Sequence, residues 1–140
     1  MTQAPACCNP GTSLQEVAKM MLTQDCGSIP VCDDETSKRV VGMVTDRDIV
    51  IRAVAAGRNP ADLTAQDVMS HPVASVSAEA HLEECVKLME ENQVRRVPVV
   101  DQLNQLVGVV AQADIARRHA AEQTGELVQE ISQGPALGHS

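Results

Sequence analysis

The chain contains an internal repeat, and this repeat constrains its fold more than any other feature. Residues 29–33, Ile-Pro-Val-Cys-Asp, match residues 97–101, Val-Pro-Val-Val-Asp, at an offset of 68 positions. Further along, Gly42 and Gly108 are 66 positions apart, so the two missing residues fall in the turn that follows the matched segments. A repeat whose length changes only in a turn predicts two copies of one structural unit.

Each copy is predicted to contain a strand, a helix, two strands and a second helix. For the first copy, the pattern predicts strands at 4–8, 28–32 and 40–44 and helices at 12–23 and 47–56. For the second copy, it predicts strands at 73–76, 97–100 and 106–110 and helices at 78–92 and 112–121. Ser77 is expected to cap the helix at 78–92, and Pro30 favours a strand edge or a strand start.

These elements predict an α/β fold made of β-α-β-β-α repeats. The expected organisation is repeat 1 at 1–57, a linker with a short helix at 58–69, repeat 2 at 70–121 and a tail at 122–140.

The composition limits the possible functions. Hydrophobic residues make up 44% of the chain, enough for a packed core, and the net charge of −8 argues against nucleic acid as a partner. No apolar run is long enough to span a bilayer and no signal peptide is recognisable, so the sequence predicts a cytoplasmic protein without a membrane partner. Five cysteines in such a chain favour reduced thiols, and Cys26, Cys32 and Cys85 are interpreted as buried structural residues.

A hydroxyl and two carboxylates stand where the strand at 40–44 meets the following helix. Residues 42–48 read Gly-Met-Val-Thr-Asp-Arg-Asp. The first amides of a helix lack internal partners and carry partial positive charge, so this position suits a phosphate or a ribose. The alternative interpretation is that Thr45 or Asp46 only caps the helix. The repetition of the pattern at 108–114 favours the ligand interpretation.

These motifs resemble a tandem pair of cystathionine-β-synthase-type (CBS) domains, often called a Bateman module. The resemblance rests on the two Pro-Val segments, the two Gly-to-Asp junctions and the sequence Met69-Ser70-x-Pro72, and it extends to about His119. The chain is most similar to small stand-alone bacterial CBS-pair proteins. The resemblance implies two repeats packed about a pseudo-two-fold axis, with two clefts for adenosine-containing ligands such as AMP, ADP, ATP, NAD or S-adenosylmethionine.

The resemblance also implies roles for individual residues. Asp48 and Asp114 match the aspartate that holds the ribose hydroxyls, whereas Ala111 stands in the second copy where Thr45 offers a hydroxyl to phosphate. Family members often bring cationic side chains to the phosphate from just before the Pro-Val strand of the other repeat. The implied phosphate contacts are Thr45, Arg47, Arg95 and Arg96. The implied apolar walls for the base are Cys8, Pro30, Val76 and Pro98. No metal is expected, and the two clefts are predicted to be unequal.

The leading interpretation is a regulatory module that binds an adenine nucleotide and signals through ligand-dependent association, as a homodimer or with a protein partner. Surplus apolar residues on the helices at 14–22, 49–56 and 82–89 favour the homodimer. An enzyme is disfavoured because the sequence has no catalytic constellation, P-loop or dinucleotide-binding glycine pattern. Two alternatives stay open. One is a purely structural dimerisation module, and the other is a thiol or metal redox sensor that uses Cys7, Cys8 and one of His71, His81 and His119.

Overall fold

The computed structural model describes residues 6–71 and 73–120, with the backbone alone at 117–120. These residues form two compact units, divided between Val73 and Ala74. Each unit combines helices with a small sheet, which confirms the predicted α/β class. The first two residues of the strand predicted at 4–8, residue 121 and the tail at 122–140 lie outside the described residues.

The first unit contains a two-stranded antiparallel sheet and three helices. Its elements are α1 (Leu14–Gln24), β1 (Ser28–Cys32), β2 (Val40–Thr45), α2 (Asp46–Ile49), a π-helical turn (Val50–Val54), a 3-10 turn (Pro60–Asp62) and α3 (Ala65–Val68). A single parallel bridge joins Cys8 to Val31 of β1, at the end of the segment predicted as the first strand. Ser13 begins α1 by accepting the Glu16 amide (3.1 Å), as its capping-box pattern indicates.

The second unit contains a three-stranded sheet and two helices. Its elements are β3 (Val76–Ser77), α4 (Leu82–Asn92), β4 (Arg96–Val100), β5 (Leu106–Ala111) and α5 (Gln112–Ala120). The strand order is β3-β4-β5, with β3 parallel to β4 and β4 antiparallel to β5.

The same repeat positions fill the core of each unit. In the first unit, Leu14 and Met21 of α1 are buried against β1 and β2. In the second unit, their counterparts Leu82 and Met89 of α4 are buried against the sheet. Burial of one such side chain contributes about 1.5–3 kcal/mol, so the apolar matches between the copies are explained by packing.

Pro30 lies in the middle of β1, so it does not mark a strand start, but β1 is an edge strand of its two-stranded sheet, as one of the two predicted alternatives has it. β2 pairs with one side of β1, and the Cys8 bridge occupies the other. Opposite Pro30, Met43 directs its amide and carbonyl away from β1, to Ser70 (3.1 and 2.9 Å). Pro30 and Met43 therefore form a non-hydrogen-bonded pair of the antiparallel ladder, where the missing amide hydrogen of proline costs no bond to β2. On the other side of β1, the carbonyl oxygen of Pro30 accepts the Cys8 amide (3.0 Å).

Two predicted helix starts are also corrected. Ser77 belongs to β3 and accepts the Glu79 amide (3.1 Å), so α4 begins only at Leu82, four residues later than predicted. In the first unit, the helix begins at Asp46 and becomes a π-helical turn after Ile49. Periodicity alone predicted neither change, because an Ala-rich turn and a π turn both preserve helix-like spacing over a few residues.

Candidate functional site

The junction between β2 and α2 is closed by a reciprocal capping box. The Thr45 hydroxyl accepts the Asp48 amide (3.0 Å), and the Asp48 carboxylate accepts the Thr45 amide through Oδ2 (2.9 Å). Both side chains are half-buried. The capping interpretation is therefore confirmed for Thr45, whereas its partner in the cap is Asp48 and not Asp46. A ligand at this junction would bind through the hydrogen-bonding positions that the cap leaves unused.

Ser70 joins Asp48 from a distant part of the chain. Its hydroxyl donates to Asp48 Oδ1 (3.2 Å), and its backbone forms an isolated antiparallel bridge with Met43 of β2. Gly42 permits this approach, because a Cβ there would lie only 3.0 Å from Met69 Cγ. Sequence analysis used Ser70 only as part of a family motif, so its contact with the carboxylate was missed.

Arg52 holds the segment before Ser70 in place. Its Nη1 donates to the carbonyl oxygens of Val68 (3.1 Å) and Met69 (2.9 Å). Arg52 belongs to the π-helical turn Val50–Val54, and π turns are frequent at functional sites. The junction is therefore positioned by α2, the π turn and the end of α3 together.

The second unit has the same junction without the hydroxyl. Asp114 Oδ2 accepts the Ala111 amide (3.2 Å), as Asp48 accepts the Thr45 amide. One backbone bond is also repeated, since the first amide of each helix donates to the residue before the Pro-Val strand: Asp46 to Gly27 (2.8 Å) and Gln112 to Arg95 (2.7 Å). Ala111 offers no side-chain oxygen, so this junction has one polar group fewer.

The predicted phosphate-binding arginines differ in burial. Arg47 and Arg95 are exposed, whereas Arg96 is half-buried at the start of β4. In the described structure, Arg96 Nε is buried without a hydrogen-bond partner, and so is the hydroxyl of Ser28, its counterpart 68 positions earlier. Unsatisfied buried polar groups are rare and costly, so these two positions call for a water or a ligand.

The four predicted base walls all belong to the interior. Cys8, Pro30, Val76 and Pro98 are buried, and Pro98 is among the most fully buried side chains of the chain. The structure therefore gives them a packing role, and their contact with a base stays a prediction. A cavity of about 370 Å³ opens in the second unit, where its walls are Ser75, Val76, Ser77, Glu79, Ala80, Glu84 and Leu88.

The aspartates that end the two Pro-Val motifs organise turns. Asp33 accepts the hydroxyl of Ser37 (2.8 Å) and Nε of Arg39 (3.0 Å). The hydroxyl of Ser37, with smaller help from Arg39, lowers the pKa of Asp33 to about 2. Asp101 accepts the amides of Leu103 and Gln105 (2.8 and 2.9 Å). These two motif residues are accounted for by the fold alone.

Comparison with known proteins identifies the repeat. The sequence profile of the CBS domain matches residues 1–54 and residues 65–121. The chain belongs to the CBS domain family. Both copies are covered, so the resemblance inferred from the motifs is confirmed, and the chain contains two CBS domains.

Relatives of similar length are known. The chain is 39% identical to hypoxic response protein 1 of Mycobacterium tuberculosis over 137 residues, which cover 98% of this chain and 94% of that protein. It is 38% identical over 133 residues to the CBS domain-containing protein YhcV of Bacillus subtilis, with coverage of 94% and 91%.

Two solved CBS structures are informative about ligands. Hypoxic response protein I with two coordinated zinc ions aligns with a TM-score of 0.74 at 42% identity, over 84% of this chain and 92% of that one. A CBS domain protein of Pyrobaculum aerophilum complexed with AMP aligns with a TM-score of 0.76 at 26% identity, over 87% and 92%.

The two zinc ions of hypoxic response protein I weigh against the expectation that no metal binds to this chain. Within 6–71 and 73–120, no three His, Cys, Asp or Glu side chains are grouped so that they could hold a metal ion. The side chain of His119, one of the histidines considered for such a site, lies outside the described residues. The helices of this same part of the chain include none with the length and apolarity needed to cross a membrane.

Proposed function

We propose that this CBS pair is a regulatory module that binds an adenosine nucleotide, with its phosphate-competent site at the junction of β2 and α2. The observation that carries the proposal is the arrangement of Thr45 and Asp48 on one turn at the start of a helix. The AMP bound by the Pyrobaculum aerophilum relative supports the choice of ligand. AMP, ADP, ATP and NAD share the adenosine and phosphate groups that such a site recognises.

The bonding capacity of the junction suits a ribose and a phosphate. A carboxylate has about four acceptor positions, and the Thr45 amide and the Ser70 hydroxyl use two of those on Asp48. Two positions remain for the two hydroxyls of a ribose. The Thr45 hydroxyl accepts the Asp48 amide, so its own hydrogen is available for a phosphate oxygen.

Positive charge for the phosphate is supplied in the proposal by arginines. Arg47 is exposed beside Asp48, and the resemblance assigns Arg95 and Arg96 to the same ligand. The buried and unpartnered Nε of Arg96 supports this assignment, because a guanidinium forms strong paired bonds with phosphate.

Replacement of Arg95 by alanine should weaken binding of AMP or ATP while leaving adenosine binding unchanged.

The module acts by binding and not by catalysis in this proposal, and it signals through association. A cytoplasmic location is supported by the five cysteines, all of which are free thiols.

Self-association is the proposed output, and an exposed apolar surface supports it. We define this surface as Leu22 of α1 with Val50, Ile51 and Val54 of the π turn, which are 47–82% exposed. Large exposed apolar patches usually mark interfaces. The helix predicted at 82–89 does not extend the surface, because its apolar residues are buried or half-buried.

A charge on this surface should dissociate the proposed homodimer. We expect wild-type protein to sediment as a dimer at micromolar concentration and the double variant Leu22→Glu/Val54→Glu to sediment as a monomer. The matched control is Leu103→Glu, since Leu103 is 68% exposed in the turn between β4 and β5. A monomeric wild type, or equal dissociation by the control, would contradict the dimer.

Nucleotide binding has a direct spectroscopic test. The chain has no Trp, Tyr or Phe, so it is nearly transparent where adenine absorbs. After equilibrium dialysis against AMP, the protein compartment should hold an excess of adenine absorbance near 260 nm that saturates with concentration. Dialysis against ribose 5-phosphate with adenine is the control for binding of the parts. Equal absorbance in both compartments at every AMP concentration would reject the nucleotide.

A further inference from the structure

Two cysteines from separate segments of the first unit lie on paired stretches of backbone. Cys7 precedes the residue that bridges to β1, and Cys32 is the last residue of β1. Backbone bonds from Cys8 to Pro30 (3.0 Å) and from Cys32 to Cys8 (2.7 Å) hold the segments side by side. Because side chains alternate along extended chain, Cys7 and Cys32 share one face, opposite to Cys8 and Val31. Each of the two side chains shifts the pKa of the other.

The two thiols differ in access and in ionisation. Cys7 is half-buried, whereas Cys32 is 1% exposed. The hydrogen bond from Cys32 lowers the pKa of Cys7 to about 7, although burial opposes it; Lys38 lowers the pKa further and Glu35 raises it. The same hydrogen bond raises the pKa of Cys32, which remains a thiol. Near pH 7 about half of Cys7 is therefore thiolate, compared with a few per cent for an ordinary cysteine.

We propose that Cys7 and Cys32 form a reversible intramolecular disulfide in response to a hydroperoxide, with Cys7 as the attacking sulfur. The placement of the two cysteines on one face across the backbone bridge, with only Cys7 accessible to solvent, carries this assignment. Cys32 is buried as predicted, and the proposal adds a chemical role to its structural one. The inference does not depend on nucleotide binding.

The reaction proceeds in two balanced steps. The Cys7 sulfur attacks one oxygen of hydrogen peroxide, the O–O bond breaks, and water leaves, so that Cys7 becomes a sulfenic acid. The Cys32 sulfur then attacks the Cys7 sulfur, the S–O bond breaks, and the Cys32 proton leaves with the hydroxide as a second water. Two thiols are oxidised to one disulfide, and the peroxide is reduced to two waters. A dithiol reductant reverses the reaction by exchange.

The other cysteines are poorer partners. Burial raises the pKa of Cys8 to about 12, and its side chain lies on the opposite face of the bridge from Cys7. Burial raises the pKa of Cys85 to about 11, and Cys85 belongs to the second unit. The Cys26 thiol donates to the Ser28 carbonyl (3.4 Å). Reaction at low peroxide should therefore select Cys7.

The test begins with reduced full-length protein and one equivalent of hydrogen peroxide. Non-reducing digestion and mass spectrometry should show a chain that has lost two hydrogens and a link between the Cys7 and Cys32 peptides, which dithiothreitol removes. Cys8→Ser and Cys85→Ser are matched controls and should form the same link. Cys32→Ser should stop at the sulfenic acid, which dimedone labels at Cys7. A Cys7–Cys8 disulfide, or a link only between chains, would overturn the proposal.

Two further measurements distinguish the proposed thiol pair from a metal-binding site and from a cysteine that reacts only because it is accessible to solvent. The rate of Cys7 alkylation by iodoacetamide should rise with a midpoint near pH 7, and Lys38→Gln should move that midpoint upward. Zinc content of the purified protein, measured by elemental analysis, should be the same in wild type, Cys7→Ser and Cys32→Ser. Zinc that these two variants lose, or a Cys7 midpoint above pH 8 in wild type, would show that the pair does not act as an attacking and a resolving thiol.

Discussion

Replacement of Asp48 by alanine should weaken AMP binding by at least about two orders of magnitude. The variant loses the carboxylate that accepts both ribose hydroxyls in the proposed site. A hydrogen bond to a charged group contributes about 1.5–3 kcal/mol, and about 1.4 kcal/mol corresponds to a tenfold change in affinity. Titration calorimetry of nucleotide-free protein gives both affinities, and thermal unfolding checks that the variant remains folded.

The controls for Asp48 separate ligand binding from helix capping. Asp67 closes the same kind of capping box at α3, where its carboxylate accepts the Thr64 amide (2.8 Å). Asp67→Ala should therefore lose a comparable cap and keep full affinity for AMP. Asp114→Ala should leave the tight site almost unchanged. Equal losses of affinity in Asp48→Ala and Asp67→Ala would reduce Asp48 to a structural residue and reject the proposed site.

Replacement of Ala111 by threonine should give the second copy the hydroxyl that it lacks. The added oxygen can accept the Asp114 amide, as Thr45 accepts the Asp48 amide, and can donate its hydrogen to a phosphate. We expect AMP affinity at this second junction to rise about tenfold or more, since one hydrogen bond to a charged group is worth about 1.5–3 kcal/mol. Calorimetry in the Asp48→Ala background isolates the second site.

The matched control is Ala111→Val, which has the shape of threonine without its hydroxyl. Ala111 is 5% exposed, so the added atoms must fit into the interior. Threonine and valine have nearly the same shape, so both variants require the same space. The difference between them therefore measures the effect of the hydroxyl alone. The free energy of unfolding, measured with urea, should be higher for the threonine variant by about 0.5–2 kcal/mol, the usual contribution of a helix cap. Equal stability and equal AMP affinity in the two variants would mean that position 111 does not correspond to Thr45.

The repeated segments were predictable from sequence because their pattern is local. Each Pro-Val segment is a short apolar run that ends in Asp, and each forms a strand that ends in a turn held by that Asp. The junction at 42–48 could be predicted to follow a strand and begin a helix. The sequence also left open whether Thr45 or Asp46 only caps the helix, and the geometry shows that Thr45 is the cap, with Asp48 and not Asp46 completing the capping box.

The features that sequence reasoning missed depend on contacts between distant residues. Ser70 reaches Asp48 across 22 positions, and Arg52 reaches Met69 across 17. Cys7 and Cys32 share one face only because the segment at Cys8 bridges to β1. The one available signal for Ser70 was the family motif that contains it. No spacing rule connects the two thiols, so their placement on one face follows from strand pairing and not from a motif.

Titration of nucleotide-free wild-type protein with AMP tests the central claim most directly. Titration calorimetry counts the sites and measures their affinities in one experiment. We expect one tight site per chain and a second site weaker by at least about two orders of magnitude, because the second junction lacks the Thr45 hydroxyl and because Gly27 and Ser28 stand at the positions that correspond to Arg95 and Arg96. No binding of AMP, ATP or S-adenosylmethionine at millimolar concentration, or two sites of equal affinity per chain, would contradict it.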